Sequence, residues 1–532
     1  MFLGIFKTIQ RIFKPNSNPN NQDIGEKRPL RTNLQENIRH ITEAVGNSPD
    51  VVIREIRIGK HRSIKIALIF TEGLSDAQSV NQFIMESLML DIQQSDVDLD
   101  ISSRRDTLQL LKELLPVGSI KDVSDFETLL PSILSGDTAI LVEGHSQGLL
   151  VGLRGWEDRG VQEPSSQTVI RGPKEGFSEN IRTNTALIRR KIKDPNLWLE
   201  SLTIGRRTQT AVNMMYIQGI ANGKVVEEVR KRLKRIEIDS ILEGGYIEEL
   251  IQDETYTPFP TIFHTERPDV IAAGLLEGRI AIFVDGTPFV LLVPVIFSQF
   301  FSAAEDYYQR SDISTLLRLL RYLAFFIALL GPSLYIAITT FHQEMLPSEI
   351  LFSLMAQREG VPFPAFIEAL LMEVTFELLR EAGIRMPRAV GQAVSIVGAL
   401  VIGQAAVEAG IISAAMVIVV SITAISSFII PAYNLAISVR ILRFGMMGLA
   451  ASFGLLGIIV GVIAVIQHLC QLRSFGVPYM APFGPMVMAD QKDAIIRAPW
   501  WGMFSRPRFV SQKNVTREDN PPTPNPEPRR EK

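Results

Sequence analysis

The pattern of apolar and polar positions divides the chain in two. From about residue 30 to 285, short apolar stretches alternate with charged ones, at strand and helix periods. "VVIREIRIGKHRSIKIALIF" predicts two paired strands around Gly59. "LWLESLTIG" and "TAVNMMYIQG" predict two more around a turn at Arg206–Arg207, and "GRIAIFVDGTPF" a hairpin turning at Asp285–Gly286. "DAQSVNQFIMESLML" and "VVEEVRKRLKRIEID" carry helical periodicity, Ser178 is placed as an N-cap, and "TERPDV" reads as a capped helix start. No internal repeat is evident. The fold class predicted is an α+β cytoplasmic N-terminal region of two subdomains, followed by an α-helical polytopic membrane domain. The expected boundaries are 1–29 (amphipathic helix and linker), 30–160, 161–286, 287–489 (membrane) and 490–532 (a polar, Pro-rich disordered tail).

Beyond Phe289 the charge thins. Four segments, at about 322–341, 389–408, 411–434 and 445–467, are apolar over the roughly 20 residues that a bilayer requires. Residues 287–304, broken by Pro294, are ambiguous. Arg318 and Arg321 precede the first span, and Arg440 and Arg443 lie between the last two. A large charged region without a secretory signal is expected in the cytoplasm. From there, an odd number of spans conflicts with the basic tail, and an even number conflicts with Arg385, Arg388, Arg440 and Arg443. The opening "MFLGIFKTIQRIFKP" sets Phe2, Ile5, Phe6, Ile9 and Phe13 against Lys7, Arg11 and Lys14. It reads as a basic amphipathic helix, either on an anionic membrane face or packed on its own domain.

Polar residues inside the apolar half are the candidate chemistry. Gly391, Ser395, Ala399 and Gly403 recur every four residues and predict a close helix contact. Gln392, Gln404 and Glu408 add polar groups to that helix, and Thr423, Ser427, Asn434 and Ser438 form a stripe on the next. "PFPAFIEALLMEVTFELLREAGIRMPR" places Glu373, Glu377 and Glu381 on one helix face, with Glu368 upstream. Facing lipid, each would cost about 2.5–3.5 kcal/mol, so the row faces water or protein. Arg380 and Arg385 are near Glu377 and Glu381, whereas Glu373 has no arginine close in sequence. The row is expected either to lie in the membrane interface or to line a cation vestibule, and Glu373 is expected to be its unpaired member.

Composition removes several classes. A net charge of −3 gives no footprint for nucleic acid, and one cysteine and six scattered histidines offer no metal cluster. No cofactor is expected. Neither a Walker A sequence nor G-x-G-x-x-G is present. "GHSQG" (Gly144–Gly148) fits a serine-hydrolase elbow, but the apolar "LLVGLRG" after it reads as a strand, so Ser146 is expected on a hairpin turn. A membrane-bound hydrolase is the remote alternative. Arg182, Arg189 and Arg190 lie on one predicted helix. With Arg171, Glu179, Asn180, Asn184, Glu266 and Arg267 they are candidate subunit-docking residues, against the reading of a solvated helix with local ion pairs.

The run "RGPKEGFSENIRTNTALIRRKI", then "TERPD", "GRIAIFVDGTPF", "EDYYQR", "LLRYLAF", "REGVPFP", "LREAGIRMPRAVGQAVSIVGALVIGQAAVEAG" and "SFGVPY" resembles the A subunit of GerA-type spore germinant receptors. The resemblance covers about Asp137 to Met480. Gln167 stands where that family usually has a glutamate, and Gly331 falls in a usually leucine-proline stretch. The resemblance implies a multi-pass protein of the inner membrane of bacterial endospores, partnered by a transporter-like B subunit and a lipoprotein C subunit. It implies an oligomer, a pentamer, acting as a nutrient-gated channel for monovalent cations, with nutrient binding mainly on the B subunit. A non-conducting scaffold, or an accessory channel without its own nutrient, is the alternative.

Overall fold

The computed structural model of the chain describes residues 28–58, 64–82, 84, 104–117, 119–155, 163–164, 167–386, 403–511 and 514–517. The predicted helix near the start, the turn at Gly59 and most of the span at 389–408 lie outside them. The chain divides into two compact units, one drawn from 1–252, 262–294 and 500–532, the other from 253–261 and 295–499.

The first unit begins where Asn33 accepts from the backbone N–H groups of Gln35 and Glu36 (2.9 and 3.2 Å), which starts α1 (Leu34–Ala44). β1 (Val51–Ile58) and β2 (Ile64–Thr71) pair antiparallel as predicted. α2 (Arg104–Leu114), β3 (Ile120–Val123), α3 (Phe126–Ile133), β4 (Thr138–Val142) and β5 (Gly148–Val151) complete a five-stranded sheet of order β1-β2-β4-β5-β3. Interior strands β2 and β4 are covered on both faces and read as apolar runs. Edge strand β1 turns Arg54, Glu55 and Arg57 to solvent.

The chain then repeats itself. α4 (Ile181–Lys191), β6 (Leu197–Ile204), β7 (Thr210–Ile217), α5 (Gly223–Lys234), α6 (Gly244–Ile251), β8 (Phe263–Thr265), α7 (Pro268–Leu276), β9 (Ile280–Val284) and β10 (Val290–Val293) build a sheet of order β6-β7-β9-β10-β8, the same topology strand for strand. The hydrogen bonds repeat too. Asn37 donates to Arg31 O at 2.6 Å and accepts from its N–H at 2.9 Å; Asn184 does the same with Ser178 at 2.6 and 2.8 Å. Leu34 N–H donates to Glu143 and Ile181 N–H to Asp285, both at 3.1 Å. Gly144 N–H reaches Thr32 O, and Gly286 N–H reaches Glu179 O, both at 2.8 Å. The expectation of no repeat is therefore corrected: the region is a duplicated α+β module. The core of the central hairpin repeats as well: Ala139, Ile140, Val142, Leu149, Leu150 and Val151 are matched by Ala281, Ile282, Val284, Leu291, Leu292 and Val293, all buried. The caps and turns are retained too, because an orphan N–H at a helix start needs a particular acceptor.

Several boundaries move. β10 belongs to the second sheet, so this region runs past residue 286, and 287–304 is a strand followed by 3₁₀ turns rather than a span. The N-cap of α4 is Asn180 rather than Ser178, and α7 starts on Pro268 at N1 without a side-chain cap. The described part of 490–532 is folded: Arg506 Nε donates to Leu276 O (2.8 Å), Ser511 Oγ donates to Ile220 O (3.0 Å), and Val510 is buried.

The second unit is helical: α8 (Ser311–Phe341), α9 (Ser348–Arg358), α10 (Ala365–Arg385), a helical stretch at 403–408, α11 (Ala414–Ile429) and α12 (Tyr433–Gln471). Among the described residues, α8 and α12 are long and apolar enough to cross a membrane; α11 is apolar but shorter. Pro431, between extended Ile430 and Ala432, ends α11. The predicted stripe is thereby split: Thr423 and Ser427 are buried on α11, while Asn434 and Ser438 lie on α12.

α12 is a hairpin of two arms, 433–453 and 455–471, broken at Gly454 (φ 60, ψ −140). Ser438 Oγ donates to Pro258 O, and His468 Nε2 lies 2.8 Å from Thr257 Oγ1. A straight helix would hold residues 438 and 468 about 45 Å apart, yet they touch adjacent residues. A Cβ on Gly461 would lie 2.6 Å from Met446 Sδ, so this glycine lets the arms meet closely. At the tip, Leu455 N–H donates to His342 Nε2 at 3.3 Å. The predicted span at 445–467 therefore contains a chain reversal.

Candidate functional site

The glutamates of α10 face arginines that are distant in sequence. Glu373 is fully buried, with Oε2 3.0 Å from Nη2 of Arg443, itself 1% exposed, on the first arm of α12. Arg443 also lies 3.6 Å from Glu377, and Arg440 donates to Glu377 Oε2 at 2.6 Å. The geometry follows from two helical repeats: carboxylates one turn apart on α10 meet arginines one turn apart on an antiparallel arm. Arg380 lies over the rings of Phe428 and Tyr433, 5.3 and 5.7 Å from their centroids. Both oxygens of Glu373 and all three nitrogens of the Arg443 guanidinium lack an aligned hydrogen bond among the described residues, so charge attraction holds this pair.

Glu368 has a different task. Its Oε2 accepts from Ser413 N–H and Oγ (3.0 and 2.8 Å) at the start of α11, and Arg358 lies 3.5 Å from its Oε1. A buried carboxylate at a helix N-terminus satisfies orphan N–H groups and complements the dipole. Gln357 adds an acceptor for Ala415 N–H at 3.2 Å.

The expectation that Glu373 is the unpaired member of the row is overturned, because a partner 70 residues downstream cannot be read from local spacing. Glu381 is instead the accessible one: its pair with Arg385 (2.6 Å) is exposed on both sides. Gln404 donates to Glu408 at 2.9 Å, also in the open. Thr423 and Ser427 are buried; Asn434 is half-buried. Gly403 meets Val417 of α11 at ordinary contact distance (3.6 Å from a built Cβ). Gly391, Gln392, Ser395 and Ala399 lie outside the described residues.

A second charge cluster was not anticipated. Arg318 and Arg321 belong to α8 and do not flank it. Buried Asp306 accepts from Arg321 Nη1 (2.6 and 2.9 Å) and Arg318 Nε (3.4 Å), while Arg318 Nη1 reaches Asp493 (3.0 Å). The signal available was arginine three residues apart inside an apolar helix, which requires acids from elsewhere in the fold.

The candidate docking residues separate. Arg189 is fully buried, held by both oxygens of Asp50 (2.7 and 3.1 Å) and by Leu197 O (2.6 Å). Arg267 is buried on Asp269 (2.8 Å) and the carbonyls of Gln167 and Pro173 (3.2 and 2.9 Å). Asn184 and Glu266 are buried as well. These four are not surface groups; burial removes them from any docking face. Arg171, Glu179, Asn180 and Arg182 are exposed, and Arg190 is half-exposed beside Glu175 (3.2 Å). Gln167 serves as an acceptor, taking the Thr265 hydroxyl at 2.5 Å. Ser146 sits on the turn between antiparallel β4 and β5, at the position that Asp285–Gly286 precede in the second module. A strand-to-helix elbow is not formed there.

A family model described as "Bacillus/Clostridium GerA spore germination protein" matches residues 39–509. The chain is 50% identical over 497 residues to "Spore germination protein KA" of Bacillus subtilis (strain 168), covering 93% of this chain and 90% of the relative. It is 39% identical over 493 residues to "Spore germination protein GerLA" of Bacillus cereus, covering 93% and 99%. A solved structure, the N-terminal domain of the A subunit of the Bacillus megaterium spore germinant receptor GerK3, is 45% identical, with a TM-score of 0.41, and covers 51% of this chain and 99% of that one.

Proposed function

The chain belongs to the GerA family of spore germination proteins, and we propose that it is the A subunit of a nutrient germinant receptor in the inner membrane of bacterial endospores. In this reading it works with a transporter-like B subunit and a lipoprotein C subunit. It oligomerises, as a pentamer, around a ligand-gated path for monovalent cations. Of the candidate docking residues, Arg171 and Glu179 are the surface groups offered for subunit docking, since Arg182 is paired with Glu72 of its own chain.

The topology we propose has six crossings: α8, α10, the segment ending at 408, α11 and the two arms of α12. An even number is supported because residues 500–532 belong to the same compact unit as the N-terminal modules. The arginines that opposed an even number include Arg440 and Arg443. Both are paired inside the bundle and are not loop charges for the positive-inside rule.

The observation that carries the channel reading is the exposure of Glu381, Gln404 and Glu408 in the helical unit, where Glu373 and Glu368 are buried. Such groups are costly in lipid, so they are assigned to an aqueous path between protomers, where carboxylates concentrate cations. Glu377, a quarter exposed, borders the same path. The test is potassium flux through proteoliposomes holding the chain with its B and C partners. Glu381→Gln should lower flux or cation selectivity at unchanged assembly, since exposed Arg385 stays hydrated without its partner. Unchanged flux would favour the non-conducting scaffold. Ser146→Ala should leave the germination response intact; its loss in a normally assembled receptor would revive the hydrolase.

A further inference from the structure

The two modules of the first unit meet through unlike surfaces. The first offers the end of α1 and the start of β1; the second offers the outer side of α4 and edge strand β6. Asp50 receives Arg189, and Glu72 receives Arg182 at 2.8 Å. Gly73, at φ 80, lets Ala186 approach: a Cβ there would lie 3.0 Å from Ala186 Cβ. The Trp198 ring lies over Gly46 and its Nε1 donates to Ala44 O (3.3 Å), while Leu199 N–H donates to Ser48 Oγ (3.0 Å).

Because the modules are equivalent, each retains the surface that only its twin uses. In the second module Asn196, Gln218 and Gly219 stand where the first has Asp50, Glu72 and Gly73. All three are exposed, and Gly219 (φ 86) has open space at its Cβ where Gly73 is in contact. In the first module Gln35, Thr42 and Val52 stand where the second has Arg182, Arg189 and Trp198. Gln35 is exposed, bonding Glu55 of its own module at 2.6 Å, and β1 is an edge strand.

The substitutions are matched in pairs. The charged pair Asp50–Arg189 becomes Asn196 with Thr42, and Glu72–Arg182 becomes Gln218 with Gln35. Both replacements are neutral and can hydrogen-bond. The large Trp198 on Gly46 becomes the small Val52 opposite Lys193. Each position differs together with its partner, so neither polar pair would set a charge against a neutral group.

We propose that α1 and edge strand β1 of one chain seat on the Asn196–Gln218 surface of a second copy of this chain. The contact between chains continues the one between modules. It rests on the reading of the chain as an oligomer, and it supplies a head-to-tail interface, the kind that closes into a ring when the rotation permits. It also covers the open edge of β1, which otherwise presents unpaired backbone groups.

The test uses the full chain, purified in detergent, with its single cysteine removed (Cys470→Ser). Two pairs are introduced separately: Gln35→Cys with Gln218→Cys, and Thr42→Cys with Asn196→Cys. Mild oxidation should give covalent dimers and larger species from both double variants, and only monomer from each single variant. A bridge within one chain would leave the band at monomer mass. Oligomers by native mass spectrometry with only monomer bands after oxidation would overturn this interface and leave the oligomer standing. A monomeric native mass would overturn both.

Discussion

Glu373→Met is expected to destabilise the helical unit by about 3–5 kcal/mol, the usual cost of removing one partner from a buried ion pair. Arg443 remains charged, since a guanidinium does not give up its proton in a protein. It is almost wholly buried, and its remaining carboxylate, Glu377, is 3.6 Å away and shared with Arg440. The loss should appear as a lower thermal-aggregation midpoint in detergent and less folded protein in the membrane. Glu373→Met with Arg443→Met should recover most of it, because replacing both members of a buried pair by apolar residues is commonly neutral or stabilising. A single variant as stable as the parent would show that the pair contributes nothing. Glu373 is thus expected to act through folding, whereas the role proposed for Glu381 is read by ion flux.

Gly454→Val should open the α12 hairpin. The backbone there, φ 60 with ψ −140, is close to a region reserved for glycine, and forcing a β-branched residue into it costs about 1–3 kcal/mol. The added Cβ would also land 2.9 Å from His342 Nε2 and 3.0 Å from Phe341 Cβ, where Leu455 N–H finds its acceptor. The readout is a disulfide between Met446→Cys and Gly461→Cys with Cys470 replaced. It should form readily in the parent background and fall at least several-fold with Gly454→Val. Equal bridging in both would mean that the arms do not depend on this turn.

These two positions mark what the sequence could and could not disclose. Strand pairs such as β1–β2 and β6–β7 were legible because the paired strands follow closely in sequence and the alternation is local. The apolar character of α8 and α12 was legible from composition. The reversal at Gly454 was not, since it leaves the hydrophobic run unbroken and glycine is common in membrane helices. The duplication has a sequence trace at one place, where "AILVEG" and "LLV" of β4–β5 match "AIFVDG" and "LLV" of β9–β10, but one hairpin is short, and the remaining equivalences rest on single side chains such as Asn37 and Asn184. At the charge network, local spacing found the carboxylates but chose the wrong member as free. Arg440 and Arg443 were visible as charges inside an apolar region, and treating them as loop residues concealed that they complement Glu373 and Glu377 one turn for one turn. Arg189 was misjudged as a surface group because its acceptor, Asp50, lies in the other module.

The first unit is assembled from chain on both sides of the helical one: residues 262–294 precede the helices and 500–517 follow them. This order has a bearing on biogenesis. A ribosome making the chain releases both modules early, yet the pieces that bond to Leu276 O and Ile220 O emerge only after every apolar helix has been synthesised. Completion of the first unit is thus coupled to completed synthesis of the helical one. A chain stalled midway would keep the Leu276 and Ile220 carbonyls without these two donors, which distinguishes unfinished copies from finished ones.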